Sequence, residues 1–133
     1  MRQVNVEGKV RALIIDDSRF VRNYLRVLLE GKGFECDEAA DGQAGLNRFR
    51  GGVSFDLVLL DWNMPVMNGL ETLKKIREGC FSETKVLMVT TEAENEFIMR
   101  ALEAGADEYL MKPFDHDALD DKLAMLGLVE VER

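Results

Sequence analysis

Asp16, Asp17, Asp61, Thr90 and Lys112 are the residues whose types and settings could do chemistry, because each stands where an apolar run ends. RALII runs into Asp16 and Asp17, FDLVLL into Asp61 and DEYLM into Lys112, while KVLMVT closes on Thr90. A carboxylate at the mouth of an apolar run is costly to desolvate unless something nearby compensates it. Singly, each has a plain structural use. Asp17 or Ser18 can cap a following helix, Thr90 can cap one beginning near Glu92, and Lys112 can be a solvated residue before the turn at Pro113. Together they bring three carboxylates, a hydroxyl and an ammonium to one place. Three carboxylates repel, so their charge must be neutralised or protonated away. A divalent cation together with Lys112 would balance it. The donor set is all oxygen, which selects a hard ion, Mg²⁺ rather than zinc. Mg²⁺ keeps coordination positions for water or phosphate oxygens, which points to phosphoryl chemistry. There a metal, a lysine and a hydroxyl spread over the transferring group are the useful parts, and an aspartate can itself be the nucleophile. Adjacency favours Asp16 and Asp17 as metal ligands and the lone Asp61 as acceptor, a division that spacing alone leaves open.

Converging strand ends require a sheet whose strands run the same way. Five short β-branched or leucine-rich segments alternate with five longer ones of helical character. RALII predicts the first strand, and SRFVRNYLRVLLE the first helix, with Phe20, Tyr24, Val27 and Leu28 at helical spacing and Gly31 and Gly33 ending it. FECDEAA is a weaker, more polar strand, suited to a sheet edge, and delivers nothing comparable to the site; ADGQAGLNRFRGG is a short helix. FDLVLL, NGLETLKKIREG, KVLMVT, EAENEFIMRALEAG, DEYLM and DHDALDDKLAMLG complete the alternation. Strict β–α alternation with near-continuous apolar strands predicts an α/β fold, a parallel sheet covered by helices on both faces. In such sheets ligands bind beyond the carboxyl ends of the strands, where strand order reverses.

The 133 residues fit one domain. At 47% hydrophobic and 32% charged, the composition excludes a disordered or membrane-embedded chain. No apolar run approaches the roughly 20 residues a spanning helix needs. The MRQVNVEGK start lacks an apolar signal segment, so a cytoplasmic address is expected. A net charge of −8 without a basic stripe argues against nucleic acid as the partner. Cys36 and Cys80 lack metal-ligand spacing and read as free thiols. His116, the only histidine, sits in DHDALDD and reads as a solvated surface residue.

IIDDS, LLDWNMPVMNG, VTTEAE and EYLMKPF, in that order, resemble the motifs of the receiver domains of two-component response regulators. The likeness runs from about Lys9 to Leu126 and, through DWNMP, is nearest to the single-domain chemotaxis regulators of the CheY type. It implies a flavodoxin-like, doubly wound five-stranded parallel sheet of order 2-1-3-4-5 with five helices, a topology taken from that family. It also implies one receiver domain over residues 1–133 with a core of about 9–126, monomeric and without an output domain. By the same resemblance Asp61 accepts a phosphoryl group from a sensor histidine kinase of the CheA type. Asp16 and Asp17, with Asp61 and the backbone carbonyl of Asn63, hold Mg²⁺. Lys112 bridges to the acceptor and its phosphoryl oxygens, Thr90 moves to the phosphoryl group, and Tyr109 turns inward. The Lys112–Pro113 bond is expected to be cis. Asn63 and Glu92 border the path of attacking water and so tune phosphoryl lifetime. One departure is Asn68-Gly69 where receivers usually carry Asp-Gly; Asn serves equally well as an N-cap there.

Without an output domain such a protein must signal by binding, the flagellar motor switch being one target. Over Glu92–Ala104, Phe97, Ala101 and Ala104 form one apolar stripe, and Ile98 and Leu102 a second, an arc wide for a surface helix. It either packs deeply or, with Tyr109 and Lys122, offers a partner surface. A phosphorelay intermediary or phosphate sink fits the same motifs. A Mg²⁺-dependent phosphatase of the haloacid dehalogenase type also uses a strand-end Asp, but needs a second Asp where this chain has Asn63, and a cap domain.

Overall fold

The computed structural model describes residues 8–79, 83–92 and 94–129, so Cys80 and the first seven residues lie outside the described part. The strands are β1 (Arg11–Ile15), β2 (Glu35–Ala39), β3 (Leu57–Leu60), β4 (Lys85–Thr90) and β5 (Glu108–Met111). The helices are α1 (Arg19–Glu30), α2 (Gly42–Arg50), α3 (Gly69–Glu78), α4 (Asn95–Glu103) and α5 (His116–Met125). All ladders are parallel, in the order β2-β1-β3-β4-β5, as expected from the resemblance. Among the described residues no helix is long and apolar enough to cross a membrane.

Side chains on a strand alternate between faces, and the two cores follow that period. Leu13, Ile15, Val58, Leu60, Val86 and Met88 pack beneath α2, α3 and α4 with Leu46, Phe49, Leu73, Ile76 and Ala101. Ala12, Ile14, Leu57, Leu59, Leu87 and Val89 pack beneath α1 and α5 with Leu25, Leu29, Leu119 and Leu123. Burial on both faces is why β1, β3 and β4 read as apolar runs, whereas β2, at an edge, keeps half-exposed polar residues. Strand order reverses beside β1, between β2 and β3, which places a crevice at the carboxyl ends of β1 and β3.

Caps fix where the helices leave that crevice. Ser18 accepts from the Val21 amide at the start of α1. Asn68 and Glu71 form a reciprocal capping box on α3, so the Asn found in place of the usual Asp does the capping. Two expectations are corrected. α4 begins at Asn95, not near Glu92, and its N-cap, Glu94, makes no side-chain cap bond. Glu92 is held instead by Tyr109 through its carbonyl and by Asn63 through its carboxylate, which keeps it out of the helix. Thr90 therefore caps no helix. On α1 the buried residues are Leu25 and Leu29, with Val21 and Leu28 packed beside them. Phe20 is 80% and Val27 60% exposed, and Tyr24 leans on Phe114 with ring centroids 5.8 Å apart.

Candidate functional site

β1 and β3 are adjacent, and their ends carry Asp16 and Asp61 into the crevice side by side. Asp16 is 2% exposed and bonded at every polar atom. Its N–H donates to the Ala39 carbonyl (3.1 Å), and its carbonyl accepts from Arg22 Nη1 (2.7 Å). Its Oδ1 accepts from the Ser18 amide (2.8 Å), and its Oδ2 from Lys112 Nζ (2.8 Å). Asp17, the next residue, is exposed. Asp61 is 7% exposed and extends the β1–β3 ladder through its N–H to the Ile15 carbonyl, 3.0 Å. Gly69 lies so close that a Cβ there would fall 2.2 Å from the Asp61 carbonyl oxygen, so any side chain would push the Asp61 backbone aside. Sequence reasoning prized Asn68 of this pair and passed over the glycine; the Asn-Gly step after a strand and a Pro turn was the available signal.

Burial raises the Asp61 pKa above the ordinary aspartate value, and the neighbouring Asp16 charge adds to the rise. Lys112, the Thr90 hydroxyl and the Trp62 amide act against it. Lys112 Nζ is 3.7 Å from Asp61 Oδ2, so the ammonium is shared by both carboxylates and sits nearer Asp16. Thr90 is fully buried. One carboxylate oxygen each from Asp16, Asp17 and Asp61 lies within 4.8 Å of the others. The Lys112–Pro113 peptide is cis. An all-oxygen trio, two of its members buried with one ammonium between them, suits a small hard divalent cation in both charge and donor type.

The rim is one connected set. Asn63 Nδ2 donates to Glu92 Oε1 at 2.6 Å, and the Tyr109 hydroxyl donates to the Glu92 carbonyl at 2.5 Å. The Tyr109 ring already lies inward, its pKa pushed up to about 12 by burial and by the Glu92 and Asp61 charges. Of the other residues expected at a partner surface, Leu102 is exposed, Ile98 is half-buried against the core, and Lys122 is half-buried in an ion pair with Glu108 (2.7 Å). His116 is exposed, as expected, and with Asp117 and Asp120 offers a second set of ligand atoms in which Asp120 is already paired to Lys32.

Two contributions escaped the sequence reading. Arg22, one turn into α1, reaches back to the Asp16 carbonyl, and β2 contributes after all, because its Glu38 accepts from Arg22 Nε at 3.0 Å. An arginine four residues past the N-cap Ser18 was the signal, since that spacing returns a long side chain to the helix start.

A family model for the response regulator receiver domain matches residues 12–124. The chain is 40% identical over 116 residues to chemotaxis protein CheY-3 of Vibrio cholerae, covering 86% of this chain and 88% of that protein. It is 34% identical over 119 residues to chemotaxis protein CheY1 of Helicobacter pylori, covering 88% and 96%. Among solved structures, Vibrio cholerae chemotaxis protein CheY4 superposes with a TM-score of 0.84 at 34% identity, covering 89% of this chain and 98% of that one. Matched by that model over residues 12–124 and 34–40% identical to these relatives, the chain belongs to the response regulator receiver family.

Proposed function

We propose that this chain is a phosphoacceptor switch of a two-component system in which Asp61 takes a phosphoryl group from the phosphohistidine of a sensor kinase. The observation that carries it is a buried carboxylate flanked by the Thr90 hydroxyl and the Lys112 ammonium and set beside Asp16. An Asp61 oxygen attacks phosphorus in line, the P–N bond to the imidazole breaks, and an acyl phosphate remains on Asp61. Asp16, Asp17, Asp61 and the backbone carbonyl of Asn63 are the residues that would hold Mg²⁺, which when bound supplies positive charge for the phosphoryl oxygens. Lys112 supplies a second positive charge, and the Thr90 hydroxyl turns from the carboxylate to donate to a phosphoryl oxygen. Asn63 and Glu92, joined over the rim, set how easily water reaches the acyl phosphate, and so its lifetime. The group is lost by hydrolysis on the same residue, which makes this a switch rather than a turnover enzyme.

The signal leaves by binding. Phosphorylation adds roughly two negative charges at one end of the sheet. Thr90 and Tyr109 report that change to α4, β5 and α5, where Ile98, Leu102, Tyr109 and Lys122 contribute to a partner surface. A partner shifts the balance only if it prefers the phosphorylated state. Relatives named as chemotaxis proteins support a cytoplasmic chemotaxis role, with a CheA-like kinase upstream and a protein target such as the flagellar motor switch downstream. Incubation with acetyl phosphate and Mg²⁺ should place one acid-labile phosphoryl group on each chain, and none on Asp61→Asn. Equal labelling of the variant would refute Asp61 as acceptor; steady release from assorted phosphate esters would make the protein an enzyme.

A further inference from the structure

We infer that Arg22 is a positioning residue for the acidic pocket, orienting Asp17 through the peptide that joins it to Asp16, and that Glu38 on β2 holds Arg22 to that task. The inference rests on the phosphoacceptor reading for the purpose of the pocket, but its test reads metal binding directly. Asp16 and Asp17 share one peptide, which is planar and turns as a unit. Asp16's own carboxylate needs no help from that peptide, being fixed by the Ser18 amide and Lys112. Asp17 has no such support, for no hydrogen bond to its carboxylate is present among the described residues, and it is exposed. Where its side chain points is set by the backbone, and the backbone is set by what holds the Asp16 carbonyl. β1 ends at Ile15, and the bond to the Asp16 carbonyl comes from Arg22 Nη1 at 2.7 Å.

Arg22 is itself aimed. Its Nε donates to Glu38 Oε1 at 3.0 Å, while Arg26 Nε donates to Glu38 Oε2 at 2.6 Å. Burial alone would raise the Glu38 pKa, but the hydrogen bonds from Arg26 and Arg22 outweigh it and hold the value below the ordinary one, so Glu38 stays ionised and both arginines stay fixed. The Glu38 carboxylate also offsets part of the Arg22 charge that stands beside the pocket. A planar fork with several donors can bond the carbonyl and the carboxylate at once; a lysine ammonium at the same position reaches one of them.

Calorimetric titration of the full chain with Mg²⁺, alongside thermal melting without metal, tests this. Arg22→Met is expected to weaken Mg²⁺ binding about tenfold, Arg22→Lys to fall between it and the parent, and Glu38→Gln to weaken binding about threefold. Mg²⁺ affinity within twofold of the parent in Arg22→Met, with only the melting temperature lowered, would reduce Arg22 to a structural tie and overturn the inference. If Arg22→Met does not fold, Arg22→Lys and Glu38→Gln decide: parental affinity in both overturns it. A parent chain that itself binds no Mg²⁺ would instead bring down the phosphoacceptor reading and this inference with it.

Discussion

Asp61 carries its charge where burial disfavours charge, and that has a thermodynamic consequence apart from signalling. Its folded pKa is raised, first by burial and then by Asp16, so the folded state holds the Asp61 proton more tightly than the unfolded chain does. Stability from that source is present in full below the unfolded pKa and is lost as pH rises through the folded one. At neutral pH the ionised carboxylate is therefore a cost. Asp61→Asn should be more stable than the parent at about pH 7 without metal, by on the order of 1 kcal/mol. The difference should shrink as pH falls through the raised pKa; urea midpoints that separate further on acidification would contradict it. Val66, five residues on, stores strain of another kind. It is a β-branched residue at φ 72°, and it is 83% exposed. Left-handed backbone costs a residue with a Cβ roughly 1–2 kcal/mol, and Asn tolerates it best among non-glycine residues. With no buried contact to lose, Val66→Asn should raise stability by about 1 kcal/mol, read from the shift in urea midpoint.

The elements differ in how plainly the sequence announced them. β1, β3 and β4 were legible because strands buried on both faces must be apolar throughout, and α1, α3 and α5 because Ser18, Asn68 and Asp115 cap as their types suggest. α4 was harder: the start of a helix is a local choice, and at Glu92 it was overruled by Asn63 and Tyr109, which are 29 and 17 residues away in the chain. α1 carries two apolar stripes, Phe20–Tyr24–Val27 and Val21–Leu25–Leu28–Leu29, and periodicity identifies the helix without saying which stripe faces the sheet. The sheet takes the one richer in leucine, leaving Phe20 and Val27 in solvent. Leu25→Ala should therefore cost roughly 2–5 kcal/mol, as large-to-small core changes do. Val27→Lys should stay within about 0.5 kcal/mol. Denaturation midpoints for the two variants check the assignment, and comparable losses would mean that both stripes are packed. The carboxylate trio was legible by strand ends alone, but the division of labour within it needs distances: only those show Lys112 nearer Asp16 than Asp61.

Across the whole molecule, the route from Asp61 to the far helices runs through two aromatic residues. Trp62 follows Asp61 directly, is buried, and meets Phe97 of α4 edge to face at 5.1 Å, with the Arg100 guanidinium 6.0 Å from its ring centroid. Tyr109 of β5 holds the Glu92 carbonyl just ahead of α4. A change at Asp61 would thus press on α4 from its packed face through Trp62 and at its entry through Glu92. Packed contacts of this kind shift between discrete arrangements rather than deforming smoothly. Trp62, the only tryptophan, reports on both events. Mg²⁺ alone should change its emission by altering the charge beside it, whereas a phosphoryl analogue such as beryllofluoride should add a second change as α4 repacks. Phe97→Ala separates them: the Mg²⁺ response should persist, because it is local, and the additional response should shrink, because it needs α4 against the indole. Emission unmoved by Mg²⁺ that calorimetry shows to be bound would mean that the metal does not sit beside Trp62. A full second response in Phe97→Ala would mean that α4 is not the element that moves.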